Sequence, residues 1–383
     1  MRPESFPRRR RTHQKSKKGC SQCKARHIKC DEGRPSCAHC ITTHRCCSFL
    51  QPSKSLVLPD SAAAAASSTR ISSSHTPEVA ATVLFTTSHL ICLHHAETCM
   101  ETYMALQDTG RPIVNLAIAH ADSAPYLLSQ MLALSALHLA TDGQDTSKRA
   151  QYHQQATELQ TRALEQFNRA QEESSDAKYI PVFVFASLLG MHVLKETLVS
   201  HQDSLSDFVD AFVHYTRLHR GVRTAITNDS WPMILESDLR PLLYFSDLSA
   251  IDKQVPGDDT LRLKEFIELY NAGPESSHAC HGALERVQWM LDVCKQHPSQ
   301  DNVGIHATMA WPLLVPEVYI DVLHQRRPEA LAVLAFYAAA LHRYRHFWVF
   351  RESGFGLLSA IRKSIGSYWQ DSLDISVDTL FAT

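Results

Sequence analysis

Seven of the chain's eleven cysteines lie within 28 consecutive positions near the amino terminus. Six of these cysteines form two triplets with one spacing, Cys-x2-Cys-x6-Cys, and the second triplet repeats the first seventeen residues later. Since Cys-x2-Cys supplies two thiolates from a single tight turn, this spacing predicts a metal site. The adjacent Cys46 does not fit the repeat, so we interpret it as a spare thiol. The predicted ligands are Cys20, Cys23, Cys30, Cys37, Cys40 and Cys47.

The number of thiols bears on the number of metal ions. A structural zinc ion takes four ligands in a tetrahedron, so six thiolates are too many for one ion and suffice for two only if two of them bridge. The symmetry of the repeat favours two zinc ions per chain, with one bridging thiolate in each triplet. The alternatives are one four-cysteine zinc site with two unused thiols, or cysteines that are buried for unrelated reasons.

The surrounding sequence favours reduced thiols. The amino terminus is basic, but the apolar segment of a secretory signal does not follow it. The longest apolar runs are shorter than the roughly 20 residues that a bilayer requires, so we expect no membrane segment. Because thiols of proteins that are not exported stay reduced, a metal site is favoured over a set of disulfides.

Charge is distributed unevenly along the chain. Residues 1–50 contain thirteen Lys and Arg and three acidic residues, a net charge of +10. The whole chain carries −2, so the other 333 residues carry −12. This asymmetry indicates that the amino-terminal segment, and not the rest, contacts a polyanion.

The two cysteine triplets differ in charge as well. The six residues after Cys23, KARHIK, carry three full positive charges, whereas the six after Cys40, ITTHRC, carry one. Both stretches are predicted to form short helices held by thiolates at either end. Only the first has the charge to enter a groove of DNA, where Lys and Arg can donate to guanine or neutralise phosphate.

The cysteine pattern resembles the fungal zinc binuclear cluster, Zn2Cys6, of transcription factors. The likeness includes Lys29-Cys30-Asp31 after the first half and Arg34-Pro35 ahead of the second. It implies that the first and fourth cysteines, Cys20 and Cys37, are the bridging thiolates.

The same resemblance implies which residues contact bases. The family places them at the third and fourth positions after the second cysteine, which here are Arg26 and His27. His27 departs from the Lys or Arg that many members have. Lys24 and Lys29 could instead contact phosphate or only solvent, and the upstream basic clusters could bind phosphate or direct nuclear import. The predicted DNA-contacting residues are Lys17, Lys18, Lys24, Arg26, His27 and Lys29.

The composition changes after this first segment, residues 1–50. Residues 51–80 are rich in Ser, Ala and Pro without an apolar period, which predicts a disordered linker. No heptad repeat follows the cysteines, so a coiled-coil dimer is not expected, and a monomer or a homodimer through the helical domain stays open. Residues 81–383 carry helical periods, which predict an all-α domain with one large core.

About ten helices are predicted in that domain. Ser123 is expected to cap the second of them, and residues 180–199 are expected to form a central buried helix. The predicted ranges are about 84–106, 124–141, 147–172, 180–199, 205–227, 259–270, 277–296, 317–325, 329–350 and 355–369.

Parts of this domain resemble the carboxy-terminal domain of the sterol-uptake regulators and their relatives, which in the sterol regulators is a helical ligand sensor. The similar stretches are residues 93–103, 126–140 and 328–348, with Gly354-Phe355-Gly356 after them. The resemblance implies that helix 329–350 and a turn at Gly354-Phe355-Gly356 border an apolar pocket for a lipid-like effector. The alternative is that the aromatic residues of this helix are core, namely Phe336, Tyr337, Tyr344, Phe347 and Trp348.

These features predict a Zn2Cys6 module followed by a large all-α regulatory domain, in a nuclear transcription factor that binds double-stranded DNA at RNA polymerase II genes. Sterol, lipid or secondary-metabolite genes are the expected targets, and an apolar small molecule is the expected effector. The alternatives are a ligand-sensing helical repressor or cofactor, and a helical enzyme with an accessory zinc module. The helical domain shows neither a phosphate loop nor a nucleophile elbow, so no catalytic residue is predicted.

Overall fold

The structure is a computed structural model, and its contacts divide the chain into two units, Met1–Ala80 and Ala81–Thr383. The residues that the structure describes are 19–26, 28–33, 37–43, 47–48, 86–108, 110–142, 145–173, 179–200, 204–223, 231–243, 256–270 and 273–370.

The amino-terminal unit is built on two short helices, α1 (Ser21–Ala25) and α2 (Ala38–Thr42). In its described part, the buried cluster consists of six cysteines, with Ile28 packed against them. So small an apolar core cannot offset the conformational entropy of an ordered chain. The stability of this unit therefore depends on what the cysteines bind.

The described residues of the second unit form helices joined by turns, and they include no strand. This confirms the predicted fold class. A short 3₁₀ helix covers Arg240–Leu242. The α-helices are α3 (Thr87–Tyr103), α4 (Arg111–Ala119), α5 (Pro125–Asp142), α6 (Thr146–Glu173), α7 (Tyr179–Ser200), α8 (Leu205–Arg223), α9 (Trp231–Leu235), α10 (Leu261–Tyr270), α11 (Pro274–Gln296), α12 (Asp301–Leu314), α13 (Glu317–His324), α14 (Pro328–Arg343) and α15 (Ser353–Ser364).

Two helices, α7 and α14, lie at the centre of the core. Every residue from Glu329 to Leu341 of α14 is buried, and fourteen residues of α7 are buried. By length and composition α7 could cross a bilayer. However, 72% of its most apolar 18-residue stretch is buried inside the helical unit. The apolar surface of α7 is thus covered by other helices, as predicted for a central core helix.

The helices differ from the sequence prediction in number, in one cap and in their bounds. Helices α4, α9 and α12 were not predicted, and α12 contains Pro312 within its span. Because α5 begins at Pro125, its cap position falls at Ala124, and the hydroxyl of Ser123 instead lies 3.1 Å from Nδ1 of His120. The predicted helix 329–350 ends at Arg343. The N–H of the next residue, Tyr344, donates to the carbonyls of Ala340 and His342.

The aromatic residues of α14 and of the segment that follows it belong to the core. Phe336, Tyr337, Tyr344, Phe347 and Trp348 are all buried. The ring of Tyr337 stacks on Trp311 with 4.6 Å between centroids, and Nε1 of Trp348 donates to the Tyr103 carbonyl at 2.6 Å. These contacts support the core interpretation of the aromatic residues.

The Gly354-Phe355-Gly356 stretch does not form a turn between helices. It belongs to the first helical turn of α15. Gly354 is buried where α15 crosses α14, and a Cβ built on it would lie 2.5 Å from the carbonyl oxygen of Ala338 and close to the backbone nitrogen of His342. Gly356 has open space where its Cβ would be. Gly354 is thus required by the close approach of two helix backbones.

We expect Gly354→Ala to lower the free energy of unfolding of the helical unit by about 1–3 kcal/mol, because the added methyl group meets backbone atoms that cannot rotate away. Gly356→Ala, in the same helix, is the matched control. We expect it to be neutral or to stabilise by up to about 1 kcal/mol through helix propensity. Chemical denaturation followed by circular dichroism measures both, and equal effects of the two variants would contradict the packing argument.

Candidate metal centre and nucleic-acid interface

The six cysteine sulfurs of the amino-terminal unit form two groups of four. Within each group all sulfur atoms lie within 4.8 Å of one another. Cys20 and Cys37 belong to both groups. One group adds Cys23 and Cys30, and the other adds Cys40 and Cys47.

The separations of the sulfurs fit tetrahedral zinc. Four sulfurs at about 2.3 Å from a zinc ion are about 3.8 Å from each other. The distances from the shared sulfurs are close to this value: 3.6 Å from Cys20 to Cys37, 3.8 Å from Cys20 to Cys40 and 3.7 Å from Cys23 to Cys37. Each group can therefore hold one ion, with the Cys20 and Cys37 sulfurs shared between the two.

Backbone N–H groups surround the sulfurs. The amides of Cys20 and Glu32 each donate to Sγ of Cys30 at 3.4 Å, and the amide of Cys23 donates to Sγ of Cys20 at 3.4 Å. Six thiolates outweigh the charge of two divalent ions by about two units, given that each coordinated thiol is deprotonated. N–H donors aimed at the sulfurs offset this excess negative charge and orient the ligands.

The acidity of the thiols varies within the cluster. Burial raises the pKa of the Cys40 thiol to about 12 and raises the pKa of Cys23 and Cys37 as well. Burial opposes ionisation of Cys30 too, but the donated N–H groups of Cys20 and Glu32 lower its pKa below the usual range. A metal must displace protons from most of these thiols, so its affinity falls as the pH falls.

Two hydrogen-bonded links join the halves of the unit. Both carboxylate oxygens of Asp31 accept the N–H of Ala38 at the start of α2, at 3.0 and 3.1 Å, and this bond lowers the pKa of Asp31. The N–H of Ser21 donates to Oγ of Ser48 at 2.9 Å. Sequence reasoning assigned no role to Asp31.

The helix in each half presents different side chains to solvent. In the first half Lys24, Arg26 and Lys29 are exposed. In the second half the exposed positions include Thr42 and Thr43, whose hydroxyls donate to backbone carbonyls of α2 at 2.8 and 2.7 Å. The described surface of the first half is therefore cationic, and that of the second is not. The predicted positions Lys17, Lys18, His27 and Cys46 lie outside the described residues.

The histidines do not form a second metal centre in the part of the chain that the structure describes. The two cysteine groups are the only sets of three or more His, Cys, Asp or Glu there that are close enough to hold an ion. Adjacent His94 and His95 point to different sides of α3. His94 is exposed, and Nε2 of His95 lies 2.9 Å from Nδ1 of His138.

Comparison with known proteins matches residues 18–56 to the fungal Zn(2)-Cys(6) binuclear cluster domain. Six cysteines of such a domain bind two zinc ions, which confirms the predicted cofactor. No solved structure matches the chain.

Two relatives are similar over most of the chain. A Zn(2)-C6 fungal-type transcription factor of Gibberella zeae is 24% identical over 95% of this chain and 85% of its own length. The Zn(2)-C6 fungal-type transcription factor afumD of Aspergillus fumigatus is 24% identical over 86% of this chain and 87% of its own. The sterol uptake control protein 2 of Candida albicans is 51% identical, but over 11% of this chain and 6% of its own, in the zinc-cluster region. The sterol likeness is therefore confined to that region.

We expect elemental analysis of the purified chain to give two zinc ions per chain. Cys20→Ala or Cys37→Ala should lose both ions and unfold the amino-terminal unit, because each removes a ligand from both groups. Cys46→Ala, which removes a thiol outside the repeat, should keep both ions and serves as the control. A chain with one zinc ion, or loss of zinc from Cys46→Ala, would contradict the shared-ligand arrangement.

Proposed function

We propose that this chain, which is a fungal-type Zn2Cys6 transcription factor, contacts the bases of duplex DNA with the first of its two cysteine halves. Membership of this family implies DNA binding and action in the nucleus, and it excludes the alternative of a helical enzyme with an accessory zinc module. In this proposal residues 1–50 bind DNA, residues 51–80 are a linker, and residues 81–383 form an all-α regulatory domain.

We assign the zinc ligands within this proposal. One ion would bind Cys20, Cys23, Cys30 and Cys37, and the other would bind Cys20, Cys37, Cys40 and Cys47. The sulfur separations near 3.8 Å and the membership of Cys20 and Cys37 in both groups support this assignment. The zinc ions would then hold α1 and α2 in one fixed geometry, because Ile28 is the only apolar side chain among the described residues that packs against the cysteines.

The exposed cationic side chains of the first half carry the DNA-binding proposal. A side chain that contacts DNA must reach a groove or a phosphate from the surface, and Lys24, Arg26 and Lys29 are exposed. Arg can donate two hydrogen bonds to O6 and N7 of guanine, which makes Arg26 the leading candidate for base recognition. His27 adjoins it in the sequence, and we propose a base contact there as well.

We expect Arg26→Ala and His27→Ala to weaken DNA binding and to relax sequence preference, with a loss for Arg26 of about 1–3 kcal/mol of base discrimination. Thr43→Ala and His44→Ala are the matched controls at comparable places in the second half, and they should change neither property. Selection of bound sequences from a randomised duplex library measures preference. If the second-half variants lose specificity while Arg26→Ala keeps it, the assigned orientation is wrong.

The basic residues before the cluster are expected to act through phosphate. Lys17→Ala combined with Lys18→Ala should weaken binding to all sequences alike. The slope of log K against log salt should become shallower by about 0.9 for each phosphate contact that is lost. Titrations of one specific and one unrelated duplex at several salt concentrations measure this. A loss confined to the specific duplex would show base contact instead.

An apolar small-molecule effector bound by residues 81–383, and sterol or lipid genes as targets, stay predictions. The likeness to sterol uptake control proteins is confined to the zinc-cluster region, and the aromatic residues expected to border a pocket lie in the core. Regulation of secondary-metabolite genes, a ligand-sensing repressor role and a homodimer through the helical domain stay predictions. Genome-wide mapping of bound DNA tests the first, and sedimentation of the full chain tests the last.

A further inference from the structure

Glu32 has a backbone conformation that is uncommon for its residue type. Its φ is 57°, in the left-handed region that glycine enters freely and that other residues enter at a cost in free energy. The next residue is Gly33, so the sequence places glycine one position away from the place where it would remove this cost. Strained backbone of this kind persists where a further role of the residue outweighs the strain.

The contact that Glu32 makes with the cysteine cluster does not require its side chain. The N–H of Glu32 donates to Sγ of Cys30 at 3.4 Å, and every residue except proline has such a donor. The side chain itself is exposed and lies outside the buried cluster. Glycine at this position would keep the bond to Cys30 and relieve the backbone. The reason for a glutamate therefore lies in its exposed carboxylate.

That carboxylate belongs to the cationic half of the amino-terminal unit. Adjacent Asp31 uses both of its oxygens to accept the N–H of Ala38. Glu32 adds an exposed negative charge to the half that also exposes three cations. It is one of only three acids in the first 50 residues, which contain thirteen Lys and Arg. The exposed cations of this half are Lys24, Arg26 and Lys29.

An exposed carboxylate on a DNA-binding surface has two opposite effects. It repels the phosphates of the duplex, and this repulsion extends over about 10 Å at an ionic strength of 0.1 M. At a base edge in the major groove, it accepts a hydrogen bond from the N4 amino group of cytosine. The first effect weakens binding to every sequence, and the second strengthens binding to sequences that present a cytosine. Together they raise the ratio of specific to non-specific affinity.

We propose that Glu32 is a specificity-determining residue that accepts a hydrogen bond from a cytosine amino group in the preferred DNA site. This inference rests on the proposed function, which places the first half on the bases of the duplex. On an unrelated duplex the carboxylate lacks its cytosine and opposes the attraction of the neighbouring cations for phosphate. The strained backbone at Glu32 is then retained because glycine would lose this discrimination.

Two variants of the full chain separate the carboxylate from the backbone conformation. Glu32→Gly removes both the carboxylate and the strain, whereas Glu32→Ala removes the carboxylate and keeps the left-handed requirement. Both keep the N–H that bonds to Cys30, so elemental analysis should give two zinc ions per chain. We expect both to bind an unrelated duplex about two- to fivefold more tightly and the preferred duplex no more tightly. Glu97→Gln, which removes an exposed acid of α3, is the control and should change neither affinity.

Selection from a randomised duplex library identifies the base. Glu32→Gly should relax one position at which the unaltered chain selects cytosine. Equal gains in affinity on both duplexes, a change confined to Glu32→Gly, or an unchanged cytosine preference would overturn the inference. Failure of the proposed function has a different signature, because sequence preference would then be lost from Thr43→Ala or His44→Ala while Arg26→Ala keeps it.

Discussion

The amino-terminal unit depends on two sulfur atoms that belong to both cysteine groups. Because the Cys20 and Cys37 sulfurs lie 3.6 Å apart and each has neighbours in both groups, the two halves cannot separate while both metal ions are held. The described residues around them offer only Ile28 as further apolar packing. The free energy of metal binding therefore stabilises the fold of this unit. The positions of the exposed side chains of α1 depend on that fold.

The helical unit is stabilised in a different way. It buries fourteen of the 22 residues of α7 and thirteen of the 16 residues of α14, and aromatic rings pack around them, such as Trp311 stacked on Tyr337. Apolar burial and close packing stabilise it. The two units thus rest on separate interactions, and removal of metal is expected to unfold one while leaving the core of the other intact.

The sequence was most informative where a feature depends on local spacing. The repeat of Cys-x2-Cys-x6-Cys predicted six ligands and two ions, because a tetrahedral ion fixes both the number and the separation of sulfurs. The apolar character of α7 likewise predicted a core helix. Features that depend on tertiary contacts were harder to predict from the sequence. Gly354 was expected in a turn between helices, and only the close approach of α14 explains a glycine in the first helical turn of α15. Asp31 was missed for the same reason, since its partner Ala38 lies across the cluster.

The bond from Trp348 to the carbonyl of Tyr103 joins residues 245 positions apart. Cys20 and Cys47, the outermost cysteines of the cluster, are separated by 27 positions. At a synthesis rate of about 5–20 residues per second, Trp348 is synthesised on the order of 10–50 s after Tyr103, so the carbonyl of Tyr103 has no hydrogen bond from Trp348 during that interval. The cysteine unit can acquire its metal within that interval, whereas α3 leaves the ribosome with an unfilled core face. A nascent chain of this protein would thus carry a finished DNA-binding unit ahead of a body that still needs protection from aggregation.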